Sequence, residues 1–424
     1  MKKHYIFILI ILIASSNMML HSIKPVEAIT IGPFGPPIRI STNTYWSGSP
    51  CVAAIDSYMY VAWADDTPVS GSGSEAEIWL RVSSNNGASF GSAIRISTNT
   101  YDSRYPSVAA SGSHVYVAWE DYTPVSGSGG APEIWLRVSS NNGATFGSAI
   151  RISTNTYYSL YPSVAASGTY VYVAWEDLTP VSGSGGLPEI WLRVSSNNGA
   201  TFGSAIRIST NTYYSLCPSV AASGSYVYVA WHDWTPVSGS GGKPEIWLRV
   251  SSNNGGSFGP AIRISTNTYK SEDPSVAAYG SYVYVAWEDY TPVSGSGGEA
   301  EIWLRVSSDN GGSFGSPVRM STNTGVSIYP SLAASGSYVY LAWQDGTPVS
   351  GSGGSNEVWM RGSSNNGGSF WSPIRISTNT GESIVPSVAA SGLYAYVAWE
   401  DSTPVSGSGS ASEIWLRVGY FGPV

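Results

Sequence analysis

The chain has 424 residues, of which only 11% are charged, with a net charge of −8 and an isoelectric point near 5. A charge-poor, acidic chain has no electrostatic footprint for nucleic acid and is an equally poor partner for other polyanions. Glycine and aromatic residues are plentiful and 42% of the residues are hydrophobic, which describes a turn-rich all-β protein and excludes a disordered one.

In chain order, residues 1–28 read as a signal peptide. Lys2 and Lys3 form a basic start, Tyr5 to Ala14 an apolar core, and Val26-Glu27-Ala28 a small-residue cleavage site. The apolar run is shorter than the roughly 20 residues that a membrane span needs, and no later stretch is long enough. The expectation is an exported protein, secreted or held at the cell surface, whose mature chain is a single domain over residues 29–424, monomeric and without a membrane span.

From there one unit repeats. The tryptophan of V-A-W or L-A-W falls at Trp63, Trp119, Trp175, Trp231, Trp287, Trp343 and Trp399, always 56 residues apart. That of E-I-W or E-V-W falls at Trp79, Trp135, Trp191, Trp247, Trp303, Trp359 and Trp415 with the same spacing. A unit this short cannot bury its own faces and must stack on its neighbours.

Each unit carries four strand signals. In the second copy they are Ser107–Ala110, Val115–Trp119, Glu133–Val138 and Ala149–Ser153, separated by Gly, Pro, Ser and Asn turn residues. Four-stranded units that are apolar on both faces find cover by radial repetition. The chain ends agree. Residues 38–42 form a fourth strand without a first three, and residues 413–418 form a third strand without a fourth. The expected fold is all-β: a seven-bladed β-propeller of four-stranded antiparallel blades, its ring closed by strand 38–42 completing the last blade.

Between the third and fourth strands every complete unit carries Ser-x-Asn/Asp-x-Gly-x-Ser/Thr-Phe, as in Ser139-Ser140-Asn141-Asn142-Gly143-Ala144-Thr145-Phe146. The Asx side chain bonds nearby backbone and Gly takes a positive φ. This hairpin resembles the Asp-box of BNR-repeat, sialidase-like propellers, and the resemblance covers nearly the whole mature chain. Its Asx position is Asn85, Asn141, Asn197, Asn253, Asp309 and Asn365. In that family the box is a structural turn opposite the active site. The resemblance therefore implies a fold, and as one alternative function an exo-sialidase or other glycoside hydrolase. Such an enzyme grips the sialic carboxylate with three arginines, beside an Asp acid/base and a Tyr nucleophile. Here seven of the fifteen arginines are third-strand copies and seven are fourth-strand copies, which leaves Arg104 alone outside the pattern.

Differences between the units collect in two loops, one before the first strand and one between the second and third. Both are expected on the face opposite the Asp-boxes, where loops on a rigid scaffold carry function. Trp46, Tyr101, Arg104, Tyr122, Tyr157, Tyr158, Tyr213, Tyr214, Trp234, Tyr269 and Tyr290 are the candidate ligand contacts there. Tyr and Trp stack on sugar C–H faces, and several similar sites suit a multivalent surface. The expected function is a non-enzymatic module binding a glycan or another surface polymer, with a protein-recognising adhesion scaffold as a further alternative and no catalytic residue assigned.

Other candidates have plainer accounts. Glu133 with Arg137 could hold a sugar between blades, though an inter-blade ion pair is the plainer account. The aspartates of the Asp121 class could take Ca²⁺ with loop carbonyls, though an Asx turn before Thr-Pro explains them. His232 stands alone where most units have Glu, so no zinc site is expected, and no other cofactor. Cys51 and Cys217 fall in different units and are expected as free, half-buried thiols.

Overall fold

The computed structural model describes residues 34–72, 75–352, 354–407 and 411–422, and the expected signal peptide lies outside them. Twenty-eight strands form seven four-stranded antiparallel sheets, and no helix occurs among the described residues. The sheets are numbered here as blades one to seven, after Trp63 to Trp399.

Blade two shows the unit: Ser103–Ser111, His114–Asp121, Glu133–Ser139 and Ile150–Arg151, from the axis outward. In its second strand Val115, Val117 and Trp119 alternate with Tyr116 and Ala118, yet all five are at most 2% exposed. Both faces are dry because neighbouring blades cover them. Tyr60, Ala62, Ile78 and Leu80 of blade one pack against Val115, Val117 and Trp119 of blade two, and an equivalent cluster fills every seam around the ring.

The first strand starts four residues earlier than its apolar signal. Ser103 and Arg104 already pair with Asp121 and Glu120, and the register then slips across a bulge before Ser107. Tyr105, inside the bulge, has φ 50° and precedes Pro106. The proline and polar residues hid this part of the strand, and they turn it towards the axis. Past the bulge, the small residue of each inner strand accepts from the next inner strand. Ser107 Oγ accepts from Val164 N at 3.0 Å, and Cys51 Sγ from Val108 N at 3.4 Å. With Ser387 and Val52, seven such bonds make a closed belt.

The ring closes as expected, with a shorter strand. Ile38 and Arg39 pair with Leu416 and Trp415, and Ile40 N donates to the Ile414 carbonyl at 2.7 Å. Glu413, fully buried, accepts from Arg39 and from the Ser41 hydroxyl. Ser41 Oγ in turn accepts from Ile414 N at 2.7 Å. Ser41→Ala is expected to leave a buried carboxylate and an amide short of partners, costing about 1–3 kcal/mol. Urea unfolding followed by tryptophan fluorescence would measure it, and an unchanged midpoint would contradict this account of closure.

Candidate functional site

The strand directions put the two variable loops of every blade on one face. Tyr122 N donates to the Asp102 carbonyl at 2.9 Å, zipping one loop to the other, and the same bond recurs in each blade. Asp121 fixes the turn: Oδ1 accepts from Thr123 N, and Oδ2 from Trp119 Nε1 and the Ser103 hydroxyl. These aspartates thus form the Asx turn. The Asp-boxes sit at the opposite strand ends. Asn85 Oδ1 accepts from Ser89 N, Ser83 Oγ accepts from Gly87 N, and both Asn86 and Gly87 are left-handed, at φ 55° and 82°. A Cβ on Gly87 would lie 2.8 Å from Val418, so glycine is required at the seam. Asn141, Asn197, Asn253, Asp309 and Asn365 repeat the turn. The three bonds from Ser307 and Ser313 hold the Asp309 carboxyl down to about 2.

The predicted loop residues divide into two sets. Tyr101, Tyr157, Tyr158, Tyr213, Tyr214 and Tyr269 are exposed, as is Tyr45 (41–49%). Trp46, Tyr122, Trp234 and Tyr290 are half-buried. Three of these four cover an acid of the second strand: Trp46 Nε1 donates to Glu400 at 2.9 Å, Tyr122 OH to Glu120 at 3.2 Å and Tyr290 OH to Glu288 at 3.3 Å. Arg104 pairs with Asp102 at 2.9 Å and lies 5.5 Å from the Trp46 ring. Lys270 sits 3.7 Å over the Tyr290 ring.

The arginines of the strands do structural work, and one expected pair is corrected. Glu133 does not pair with Arg137. It binds Arg151 and Ser153 of its own blade, as do its equivalents in theirs. The third-strand arginine reaches the previous blade instead: Arg193 Nη1 donates to the Ile152 carbonyl at 2.9 Å, and Arg81, Arg305, Arg361 and Arg417 do likewise. The reason is register, since Arg151 stands directly across from Trp135 and its guanidinium reaches Glu133. Beside these groups lie small inter-blade cavities. The one between blades one and two measures about 140 Å³ and is lined by Trp119, Trp135, Arg137 and Asn99. Trp135 Nε1 is buried there without a partner, and the same indole nitrogen is unpaired in every blade.

The axial channel was not anticipated as a site. It encloses about 630 Å³ and is lined by three successive residues from each inner strand. The first of each trio, Ser49, Tyr105, Tyr161, Cys217, Asp273, Tyr329 or Val385, is left-handed with φ of 48–54°. A non-glycine residue held so before proline is strained, by about 1–3 kcal/mol. Its side chain differs between most blades, and that variation before an invariant Pro was the signal in the sequence. Its amide donates to the second-strand residue of the previous blade: Tyr161 to Glu120 at 3.2 Å, Cys217 to Glu176 at 3.4 Å and Asp273 to His232 Nδ1 at 3.4 Å. Burial pushes the carboxyls of Glu120 and Glu176 up to about 7 and His232 down to about 4. The reading of His232 as a lone histidine is corrected, because blade packing brings Cys217 and Asp273 to it. The donor atoms of the three lie within 4.8 Å of one another. Both thiols are free and half-buried, with Cys51 in the belt and Cys217 at the channel.

Residues 162–181, 217–234, 274–291 and 384–402 match the model of the LVIVD repeat, and each segment spans the inner two strands of a blade. No curated protein matches the chain in sequence. Among solved structures it is similar to Trypanosoma rangeli sialidase in complex with sialic acid, at 12% identity and a TM-score of 0.47, covering 92% of this chain and 59% of that one. The endosialidase of phage phi92 is similar at 11% identity and TM-score 0.49, covering 92% and 70%. Penicillium chrysogenum α-L-arabinanase complexed with arabinobiose is similar at 15% identity and TM-score 0.47, covering 74% and 92%. The chain spans a little over half the length of the trypanosomal sialidase.

The Glu120 carboxyl, at about 7 in the fold against 4.5 as its ordinary value, holds a proton that the unfolded chain has already lost. Its contribution is therefore fully present below pH 4.5 and is lost as pH rises to about 7, an effect on the order of 3 kcal/mol. His232 works in the opposite sense, adding stability as pH rises from about 4 towards 6.5. Glu120→Gln is expected to raise the melting temperature at pH 8 and flatten its fall between pH 5 and 8. Gln344 already fills the equivalent place in blade six, accepting from Val385 N at 3.4 Å. Calorimetry across that range measures the effect, and a variant with the parent's slope would contradict the assignment.

Proposed function

We propose that this protein is an exported, non-enzymatic binding module whose tyrosine-rich face engages a glycan or another repetitive surface polymer at several equivalent points. The observation that carries this reading is where exposed aromatic surface collects. Of the thirteen large apolar or aromatic side chains exposed among the described residues, ten are tyrosines on the loop face or at the mouth of its channel. Five of them, Tyr45, Tyr101, Tyr157, Tyr213 and Tyr269, are one position of successive repeats, and Gly325 and Gly381 stand at the other two. A tyrosine offers a ring to a sugar C–H face and a hydroxyl to its neighbours. One such contact is weak, whereas five at a fixed spacing add by avidity on a surface that repeats.

The inter-blade cavities support the same chemistry. Each of those described pairs two indoles with a threonine- and asparagine-lined rim, three of the four add an arginine, and each leaves an indole N–H for a ligand hydroxyl. Twelve of the fifteen arginines are already engaged within the fold, all seven fourth-strand ones by glutamates and five third-strand ones by carbonyls, which weighs against the arginine clamp that the family resemblance implies. One observation favours a glycoside hydrolase: Glu120 and Glu176 titrate near neutrality close to the channel, as a general acid does.

The test is a broad glycan array probed with the purified protein, with sialylated probes included and checked afterwards for cleavage. Sugar-dependent binding to intact probes is expected, falling at least about ten-fold when Tyr157, Tyr158, Tyr213 and Tyr214 are all changed to Ala, with an unchanged melting temperature. Cleavage that disappears in Glu120→Gln would replace this reading with the hydrolase. A blank array, with capture of a protein partner by the same loops, would replace it with an adhesion scaffold.

A further inference from the structure

The repeats act as internal controls for one another, and three departures from their common pattern meet in space. At the left-handed channel position the commonest residue is tyrosine, in blades two, three and six, but blade four has Cys217 and blade five Asp273. At the second-strand position behind it the commonest residue is glutamate, in blades two, three, five and seven, but blade four has His232. Two of the replacements fall in one blade and the third faces them across the seam. All three are residue types that coordinate metals, and none is needed for the fold, since other blades close without them.

We propose that Cys217, His232 and Asp273 form a binding site for one divalent transition-metal ion of the zinc class, with a coordination position open to the axial channel. The donor set decides the class of ion: one sulfur, one imidazole nitrogen and one carboxylate oxygen suit zinc, whereas calcium and magnesium require oxygen ligands. The spacing fits as well. The three donor atoms lie within 4.8 Å of one another, and His232 Nδ1 is 3.9 Å from Asp273 Oδ1. Bonds of about 2.0–2.3 Å to a shared ion require separations only a little shorter, within reach of side-chain rotation. The backbone at Cys217 is held by its N–H bond to Glu176, and the long 3.4 Å bond from Asp273 N to His232 Nδ1 is the one that the ion replaces when that nitrogen coordinates it.

Openness follows from burial. His232 is enclosed, at 5% exposure, whereas Cys217 and Asp273 line the channel, so an ion held by all three faces the cavity. Three protein ligands with a vacant fourth position differ from the closed four-ligand sets of structural zinc. The charge around the site also suits a cation. Glu176 lies beside Cys217 and Glu288 beside Asp273; burial pushes both carboxyls up, to about 7 and about 8, and a bound cation favours loss of their protons. The nearest ammonium, Lys270, is paired with Glu272 at 2.8 Å. On binding, the Cys217 thiol releases its proton to solvent as the sulfur–metal bond forms.

The test uses the purified full chain, treated with a chelator and kept reduced, with Co²⁺ as a spectroscopic probe. One equivalent is expected to bind, with visible bands of a four-coordinate ion and a near-ultraviolet thiolate-to-cobalt band, both removed by added Zn²⁺. Cys217→Tyr, Asp273→Tyr and His232→Gln put in residues that other blades carry at the same places, so these variants are expected to fold, which melting curves would check. Each should weaken binding by more than the roughly 10–100-fold that loss of an outer-shell partner costs. Cys51→Ser, in the inner-strand belt, should leave it unchanged. Cobalt bound without the thiolate band, equal affinity in Cys217→Tyr, or no binding at all would overturn the proposal.

Discussion

Each blade of this protein is apolar on both faces, and that constraint governs the rest of the structure. A second strand buried at every residue but its first cannot border water, so no blade is stable alone and a finite stack would expose two dry surfaces. A closed ring removes both. Closure falls to the short strand Ile38–Arg39 beside Glu413–Tyr420, with the inner-strand belt drawn tight around the axis. Seven nearly identical seams then share the stabilisation, and a change at one position is repeated nowhere else.

That uniformity separates structural from functional polar groups. The Glu–Arg–Ser cluster at each rim, the aspartate beneath each indole and the Asp-box hairpins recur almost without variation, and their hydrogen-bonding atoms face one another. Most of what varies is presented to solvent or to the channel, namely the tyrosines of five loops, the single Arg104 and the ring of left-handed residues before proline, while the position of Glu120, His232 and Gln344 varies in the buried layer just behind that ring. A fold that holds these groups on rigid strand ends can alter its surface one blade at a time. Repetition favours many weak equal contacts on the loop face, while the channel, where seven blades converge, is the place where an asymmetric site can be assembled.

Much of this was legible in the sequence. The 56-residue period gave the blade count, alternation gave the strands, and the truncated units at the two ends gave the closure. The Asp-box turns follow from Asx and glycine chemistry alone, which is why Asn85 and its equivalents are where expected. Register was harder to read. The bulge at Tyr105 lies under a proline and polar residues, and the partner of Glu133 depends on which outer-strand side chain stands across from Trp135. Contacts between blades were harder still. His232, Cys217 and Asp273 are separated by up to 56 residues in the chain, and only the packing of blade five on blade four shows that they share a site.

The claim on which the account rests is that several equivalent contacts act together on the tyrosine face. The direct measurement is surface binding of the protein to the glycan selected by the array, immobilised at graded densities, with the same sugar free in solution as competitor. Weak monovalent competition is expected, with an apparent affinity that climbs steeply with density, by about 10²–10⁴-fold overall. Tight one-to-one binding that does not change with density would contradict it and would move the binding site from the repeated loops to a single place on the ring.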